Sequence, residues 1–312
     1  MMCSRCNKKA VIELKYSGEF LCKSCFLELF EKRVRRTIRV NKLLKNTDKT
    51  AVALSGGKDS AVVLYILNEL SKKAPRSELI AITIDQGIER LQKSGLNAAK
   101  SLCKKLGVEH YIYSFWEEFG TTLDEIVEGS KKLENPAPAC SYCGVLRRKL
   151  LNEKARELGV TKIATGHNLD DEIQTAMMNF IRGDLDRIAR MGPLVGVIKD
   201  KNFIPRIKPL RECPENEVEL YARLRELKFQ SVRCPYSEDA FRRTVREVVN
   251  TIEERHPGSK FQILKSTDRL IKTLRKKRFG KIGKCKICGN PTSGEICKFC
   301  EIKGELGLDD YL

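Results

Sequence analysis

Short apolar runs of strand length alternate with longer, helix-periodic runs through the middle of the chain. Ala51-Val52-Ala53-Leu54 is followed by Ala61-Val62-Val63-Leu64-Tyr65-Ile66-Leu67. Leu79-Ile80-Ala81-Ile82-Thr83-Ile84-Asp85 precedes helical patterning from about residue 91 to residue 106, and Tyr111-Ile112-Tyr113 reads as the next strand. A helix is predicted over residues 146–158, ended by Gly159, then a strand over 161–165 and a helix to about residue 181. A further helix is predicted over residues 217–227. Strands alternating with helices at this spacing predict βαβ units, hence an α/β fold with a doubly wound parallel sheet. Ligands in such sheets sit beyond the strand C-termini. Residues 55–60, Asp85 and residues 166–171 all fall there and are expected to converge on one cleft.

The first of these segments, Ser55-Gly56-Gly57-Lys58-Asp59-Ser60, joins a strand to a helix. Two glycines let backbone N–H groups curl around an anion, and the following helix points its positive end there. Lys58 adds a positive charge, while Ser55 and Ser60 add hydroxyl donors. A carboxylate at Asp59 makes sense beside phosphate if a divalent cation bridges them. The spacing is not that of Walker A, whose glycines and lysine are spread more widely. In Gly166-His167-Asn168-Leu169-Asp170-Asp171, the acids either cap a helix or serve as magnesium ligand or general acid/base. His167 is either a packed turn residue or part of the site.

Charge adds a partner. With 59 Lys and Arg against 41 Asp and Glu, the net charge is +18, which in a protein without membrane signals points to a polyanion. The basic residues cluster: Lys32, Arg33, Arg35, Arg36, Arg39, Lys42 and Lys45 near the N-terminus, and Lys272, Arg275, Lys276, Lys277, Arg278, Lys281 and Lys284 near the C-terminus. Few aromatics interrupt them, so they read as contacts to the backbone of a folded RNA. The Met1-Met2-Cys3 start lacks the basic and apolar regions of a secretory signal, and no run reaches the length of a membrane span. A soluble, cytoplasmic protein is expected.

Thirteen cysteines in such a chain are expected to bind metal rather than form disulfides. Cys3, Cys6, Cys22 and Cys25 form two C-x2-C pairs, and Cys285, Cys288, Cys297 and Cys300 repeat the arrangement with a shorter spacer. Each set is expected to close a structural zinc finger, since four thiolates leave no open position. Cys140 and Cys143 form a third pair without a second C-x2-C, leaving Cys103, Cys213 and Cys234 isolated. Cys103 lies on an amphipathic helix and reads as a buried apolar residue. Cys213 and Cys234 each precede a proline, which does not separate them. Pair plus third cysteine suits a [4Fe–4S] cluster with one iron free, or a zinc with an open position. A redox or persulfide pair at Cys140 and Cys143 is the alternative.

Taken together, S-G-G-x-D-S, the central C-x2-C in Cys140-Ser141-Tyr142-Cys143-Gly144, the later Arg233-Cys234-Pro235-Tyr236-Ser237 and a four-cysteine finger at each end resemble the tRNA 2-thiouridine synthetases of the TtuA/NcsA group. These are PP-loop ATP pyrophosphatases with an adenine nucleotide alpha hydrolase-like sheet. The resemblance implies ATP-dependent replacement of the C2 oxygen of a tRNA uridine by sulfur, through adenylation of that oxygen. It implies a [4Fe–4S] cluster on Cys140, Cys143 and Cys234, and Mg²⁺ with ATP. It places Asp59 and Asp171 among the catalytic residues, Asp171 as an acid. Nucleotide contacts are implied at Ala53, residues 55–60, Ile84, Asp85, Arg147 and Gly166. Where relatives carry lysine at the position of Arg147, an arginine still holds phosphate but donates protons poorly. A homodimer is implied, with sulfide or a ubiquitin-like thiocarboxylate carrier as sulfur donor. The expected layout is a finger at 1–27, a basic linker helix at 28–50, the catalytic domain at 51–258, and a basic helix with a zinc ribbon at 259–312. The rival readings are a PP-loop ligase or amidotransferase, which needs no central cysteine triad, and a zinc-finger RNA-binding module, which ATP-to-AMP turnover in the presence of tRNA would rule out.

Overall fold

The computed structural model describes residues 1–89, 92–195, 203–232, 234–236, 240–276, 283–292 and 294–307. Lys277, Arg278 and Lys281 of the second basic cluster lie outside the described residues, as do Arg233, Ser237 and the helix start expected at Leu91. The chain opens with a hairpin of β1 (Ile12–Leu14) and β2 (Glu19–Leu21), followed by α1 (Lys23–Val40). Then come β3 (Lys49–Ala53), α2 (Lys58–Ser71), β4 (Glu78–Asp85), α3 (Gln92–Leu106) and β5 (Glu109–Ser114). Two short helices follow, α4 (Phe115–Phe119) and α5 (Leu123–Ser130), each started by a capping box: Ser114 with Glu117, and Thr122 with Glu125. Next are α6 (Ala139–Glu157), β6 (Lys162–Ala164), α7 (Leu169–Ile181) and α8 (Leu185–Ala189). The remainder comprises β7 (Leu194–Val195), β8 (Arg206–Ile207), α9 (Glu215–Leu224), α10 (Ala240–Arg255), α11 (Ser259–Lys276), the pair β9 (Gly283–Lys284) and β10 (Pro291–Thr292), and α12 (Lys298–Glu305).

The central sheet has the order β5-β4-β3-β6-β8-β7, parallel throughout except for the antiparallel edge strand β7. The chain begins in the middle, moves outward through β4 and β5, and returns to β6 on the other side of β3. That reversal makes the β3–β6 boundary the switch point where a ligand crevice opens. Alternation along the strands sorts side chains between two apolar layers. Val52 and Ala81 face one layer with Val62, Leu102 and Tyr221; Ala51, Ile80 and Ile82 face the other with Phe115, Leu146 and Leu150. The N-terminal cysteines Cys3 and Cys22 join the first layer, and Cys285, Phe299 and Cys300 join the second. Each four-cysteine end is therefore packed onto its own face of the sheet. No helix among the described residues is long and apolar enough to cross a membrane.

Two expectations change here. The helix expected from residue 146 begins at Ala139, so Cys140 and Cys143 stand on its first turns and not in a loop. Arg33, counted with the exposed basic cluster, turns inward. Its guanidinium meets Glu217 at 2.7 Å, with side-chain exposures of 13% and 2%, and Tyr16 bonds the same carboxylate at 2.9 Å. This ion pair ties α1 to α9 and to the hairpin, so the exposed members of that cluster reduce to Lys32, Arg35, Arg36, Arg39, Lys42 and Lys45.

Candidate active site

The loop between β3 and α2 is built from short contacts. Gly56 has φ +79°, and a Cβ there would lie 2.2 Å from the Gly95 carbonyl oxygen, so only glycine fits. Its own carbonyl accepts the Gln230 N–H at 2.9 Å, pinning the turn to the segment after α9. Ser60 Oγ accepts the Ser55 N–H at 3.2 Å and donates to the Gly57 carbonyl at 3.0 Å. On the neighbouring strand, a Cβ at Gly166 would sit 2.9 Å from the Ser60 nitrogen, so the β6 loop is pressed directly against the start of α2. Asn168 exploits that approach: it caps α7 by accepting the Asp171 N–H at 3.1 Å, and donates to Asp59 Oδ1 at 3.0 Å.

A cavity of about 370 Å³ opens at this junction. Ala53, Ser55, Asp59 and Ser60 line it from the β3–α2 side, Ile84 from β4, Gly166 from the loop after β6 and Asp171 from α7. Arg147 enters from α6. Gly56, Gly57, Lys58 and Asp85 are not on its walls. Lys58 pairs with Glu215 at 2.8 Å and Asp59 at 3.2 Å, and Asp85 accepts the Gly87 N–H at 2.9 Å. The two neighbouring acids of α7 part company. Asp170 accepts the Glu215 N–H at 2.7 Å and pairs with Lys260, a structural tie to α9 and α11. Asp171 faces the cavity, where burial, reinforced by the charge of Asp59, raises its pKa to about 6 against the pull of the Asn168 N–H. His167 bonds Thr165 Oγ1 at 2.8 Å; burial, and then the charges of Lys208 and Arg147, lower it to about 3 and keep it neutral.

The third cysteine group lies at the start of the same helix that supplies Arg147. Cys140 and Cys143 are three residues apart, hence on one face of α6, with Arg147 one turn further along. The Cys140 thiol donates to the Tyr236 carbonyl at 3.0 Å, which brings the Cys234 segment against the pair. Burial raises the Cys143 thiol, while Arg147 acts to lower it and the nearby Cys140 and Cys234 add to the rise. Cys140 is exposed and the other two are half-buried. Cys213 is fully buried in the core behind α9, and Cys103 is buried on α3, so neither shares this site. The donor set fits a cubane cluster: three soft thiols, and the cations Arg147 and Arg148 to offset thiolate charge.

At the ends, the four sulfurs of Cys3, Cys6, Cys22 and Cys25 lie within 4.8 Å of one another, as do those of Cys285, Cys288, Cys297 and Cys300. Each set has N–H groups aimed at sulfur: Arg5 to Cys3 at 3.4 Å, and Cys297 to Cys285 at 3.3 Å. The Ser24 hydroxyl holds the Cys22 thiol below its usual value, and the Cys288 N–H does the same for Cys285. One thiol of each set is thereby drawn toward thiolate, the form that binds metal, while the hydrogen bond with Cys6 raises Cys25 and burial raises Cys297 and Cys300.

A family model described as a PP-loop domain matches residues 28–252, and one described as the 2-thiouridine synthetase TtuA N-terminal LIM domain matches residues 3–27. The chain belongs to the TtuA/NcsA family of tRNA 2-thiolation proteins. It is 40% identical to the tRNA 2-thiolation protein NcsA of Haloferax volcanii, across 97% of this chain and 98% of that one. It is 35% identical to the tRNA-5-methyluridine(54) 2-sulfurtransferase of Pyrococcus horikoshii, across 97% and 94%. The solved U34-tRNA thiolase NcsA of Methanococcus maripaludis, with its [4Fe–4S] cluster, superposes with a TM-score of 0.85 at 42% identity, covering 98% of this chain and 96% of that one. The chain is a sulfurtransferase of this family.

Within this TtuA/NcsA chain, two residues that sequence reasoning passed over stand on the cavity wall, Arg148 and Arg206. Arg206 donates to the Arg148 carbonyl at 3.2 Å, and burial together with the charges of Arg148 and Arg147 lowers its pKa to about 10. No motif marks either residue. Arg148 follows Arg147 in a helix rich in basic residues, and Arg206 sits on a two-residue strand far away in sequence.

Proposed function

We propose that this chain is a tRNA uridine 2-sulfurtransferase that activates the uridine C2 oxygen with ATP and replaces it by sulfur. The observation that carries the reading is the geometry of α6: one helix holds Cys140 and Cys143 at its start and, one turn on, the Arg147 that lines the nucleotide cavity. Activation chemistry and thiol chemistry are thereby joined by a rigid element.

ATP would lie in the cavity with its phosphates toward Ser55, Ser60 and the start of α2, where backbone N–H groups and the helix dipole favour anions. Asp59, oriented by Asn168, would hold Mg²⁺ against the phosphates. Arg147 stabilises charge on the α-phosphate as the uridine C2 oxygen attacks it and pyrophosphate leaves. Asp171 takes the proton released as the uracil ring is activated and returns it when AMP departs. AMP carries away the original oxygen, and a sulfur nucleophile takes its place at C2. A [4Fe–4S] cluster held by Cys140, Cys143 and Cys234 would supply, when bound, an iron with an open position for inorganic sulfur. The four-cysteine ends would hold one Zn²⁺ each and present the exposed face of α1 to tRNA. A cytoplasmic setting, where thiols stay reduced, fits thirteen cysteines used as ligands and core residues.

The reading is tested by incubating anaerobically reconstituted protein with tRNA, ATP and sulfide, then digesting the tRNA for nucleoside mass spectrometry. It predicts 2-thiouridine with AMP formed in step with it. AMP without any thiolated nucleoside would point to a PP-loop ligase instead, and ADP in place of AMP would rule out attack at the α-phosphorus.

A further inference from the structure

A second cavity, of about 490 Å³, adjoins the nucleotide cavity through shared walls at Arg148, Thr165, His167 and Arg206. Its remaining cations are Arg182, Arg187, Arg190, Lys208 and Arg242, and no carboxylate among the described residues lines it. Arg187 and Lys208 are paired with Asp184 and Glu172. Among the described residues, Arg148, Arg182, Arg190 and Arg206 have no carboxylate within ion-pair reach, and the buried Arg206 Nε has no hydrogen-bond partner. Like charges gathered around a hollow repel one another and lower the stability of the compact state. An anion in the hollow offsets that cost, and the guanidinium fork suits a phosphate in particular.

The surroundings indicate which phosphate. Phe180 and Ile181, 62% and 61% exposed, stand at the end of α7 between the cavity residues Asn179 and Arg182. A free phosphate or pyrophosphate has no use for an exposed aromatic ring, whereas an unstacked base in an RNA loop does. We propose that the Arg182–Arg190–Arg206 cavity holds a backbone phosphate of the RNA strand next to the reacting nucleotide, with Phe180 offered to a neighbouring base. The shared wall would then set the reacting uracil toward the adenylation cleft. The proposal rests on the tRNA-thiolation reading and names the part of the substrate that this surface grips.

The test is an Arg182→Ala/Arg190→Ala double variant, with Arg190→Glu and Arg190→Lys as single variants should the double variant lose its circular dichroism signature. The proposal predicts a tRNA Kd and KM about tenfold or more higher, and a plot of log affinity against log salt shallower by about 1 for each phosphate no longer neutralised. The KM for ATP stays at its wild-type value. Arg190→Glu weakens tRNA binding more than Arg190→Lys does. An unchanged tRNA KM and salt slope would overturn the proposal. So would a rise in the KM for ATP with tRNA affinity intact, which would assign the cavity to nucleotide or pyrophosphate. Wild-type protein without affinity for tRNA would instead overturn the functional reading beneath it.

Discussion

Anaerobically prepared Cys140→Ala protein gives no 2-thiouridine and lacks the broad visible absorption of an iron–sulfur cluster, while its tRNA affinity matches wild type and its melting temperature matches that of wild-type protein stripped of iron. The expectation follows from where the side chain stands. Cys140 is exposed on the first turn of α6, with its thiol on the Tyr236 carbonyl. Removing a surface thiol costs about 0.5 kcal/mol or less, so lost activity is not lost folding. Removing one of three ligands does prevent the set from holding a cluster. Cys213→Ala is the informative partner. That thiol is fully buried, and burial pushes its pKa up to about 12, so its truncation costs about 1 kcal/mol in core packing yet leaves iron and activity in place. Normal thiolation by Cys140→Ala would contradict the assignment, as would iron loss in Cys213→Ala with iron retained in Cys234→Ala.

Asp171→Asn lowers kcat by about 10²–10⁴, the usual worth of a positioned acid/base group. An asparagine oxygen can still accept the Asn168 N–H that closes the α7 cap, so the helix start survives. The pH dependence gives the sharper signature. Burial raises Asp171 from the ordinary carboxylate range to about 6. Below that pH the carboxyl keeps its proton and cannot accept another; above it the carboxylate is free to act. Wild-type kcat/KM therefore rises as pH increases through 6 and levels off above it, and the rising limb is absent from Asp171→Asn. A limb that persists in the variant, or a wild-type rate that falls through pH 6, would remove Asp171 from this role.

Much of this architecture was legible because the features that specify it are local. The apolar runs mark the strands, and Gly56 and Gly166 mark places where backbone must approach backbone at 2.2 and 2.9 Å from any added Cβ. The cysteine spacings identify both four-sulfur sites. What escaped depends on tertiary direction. Asp170 and Asp171 are the same residue type one position apart, about 100° around a helix, and only packing sends one to Lys260 and the other to the cleft. Arg33 looked like its exposed neighbours but falls on the stripe of Phe26, Phe30, Val34 and Thr37 that α1 buries. The helix expected from residue 146 starts seven residues earlier, just after Pro138, whose missing N–H costs nothing at a helix start. Lys58, expected on phosphate, meets Glu215, a residue more than 150 positions away that no local pattern could have paired with it.

If the uridine C2 oxygen becomes bonded to the α-phosphorus of ATP, following that oxygen is the most direct test of the chemistry proposed for this chain. In tRNA carrying a heavy oxygen isotope at uridine C2, thiolation should transfer one labelled oxygen into the phosphate of AMP for every 2-thiouridine formed. Label appearing in water or inorganic phosphate, with unlabelled AMP, would show that ATP cleavage does not activate the oxygen that sulfur replaces.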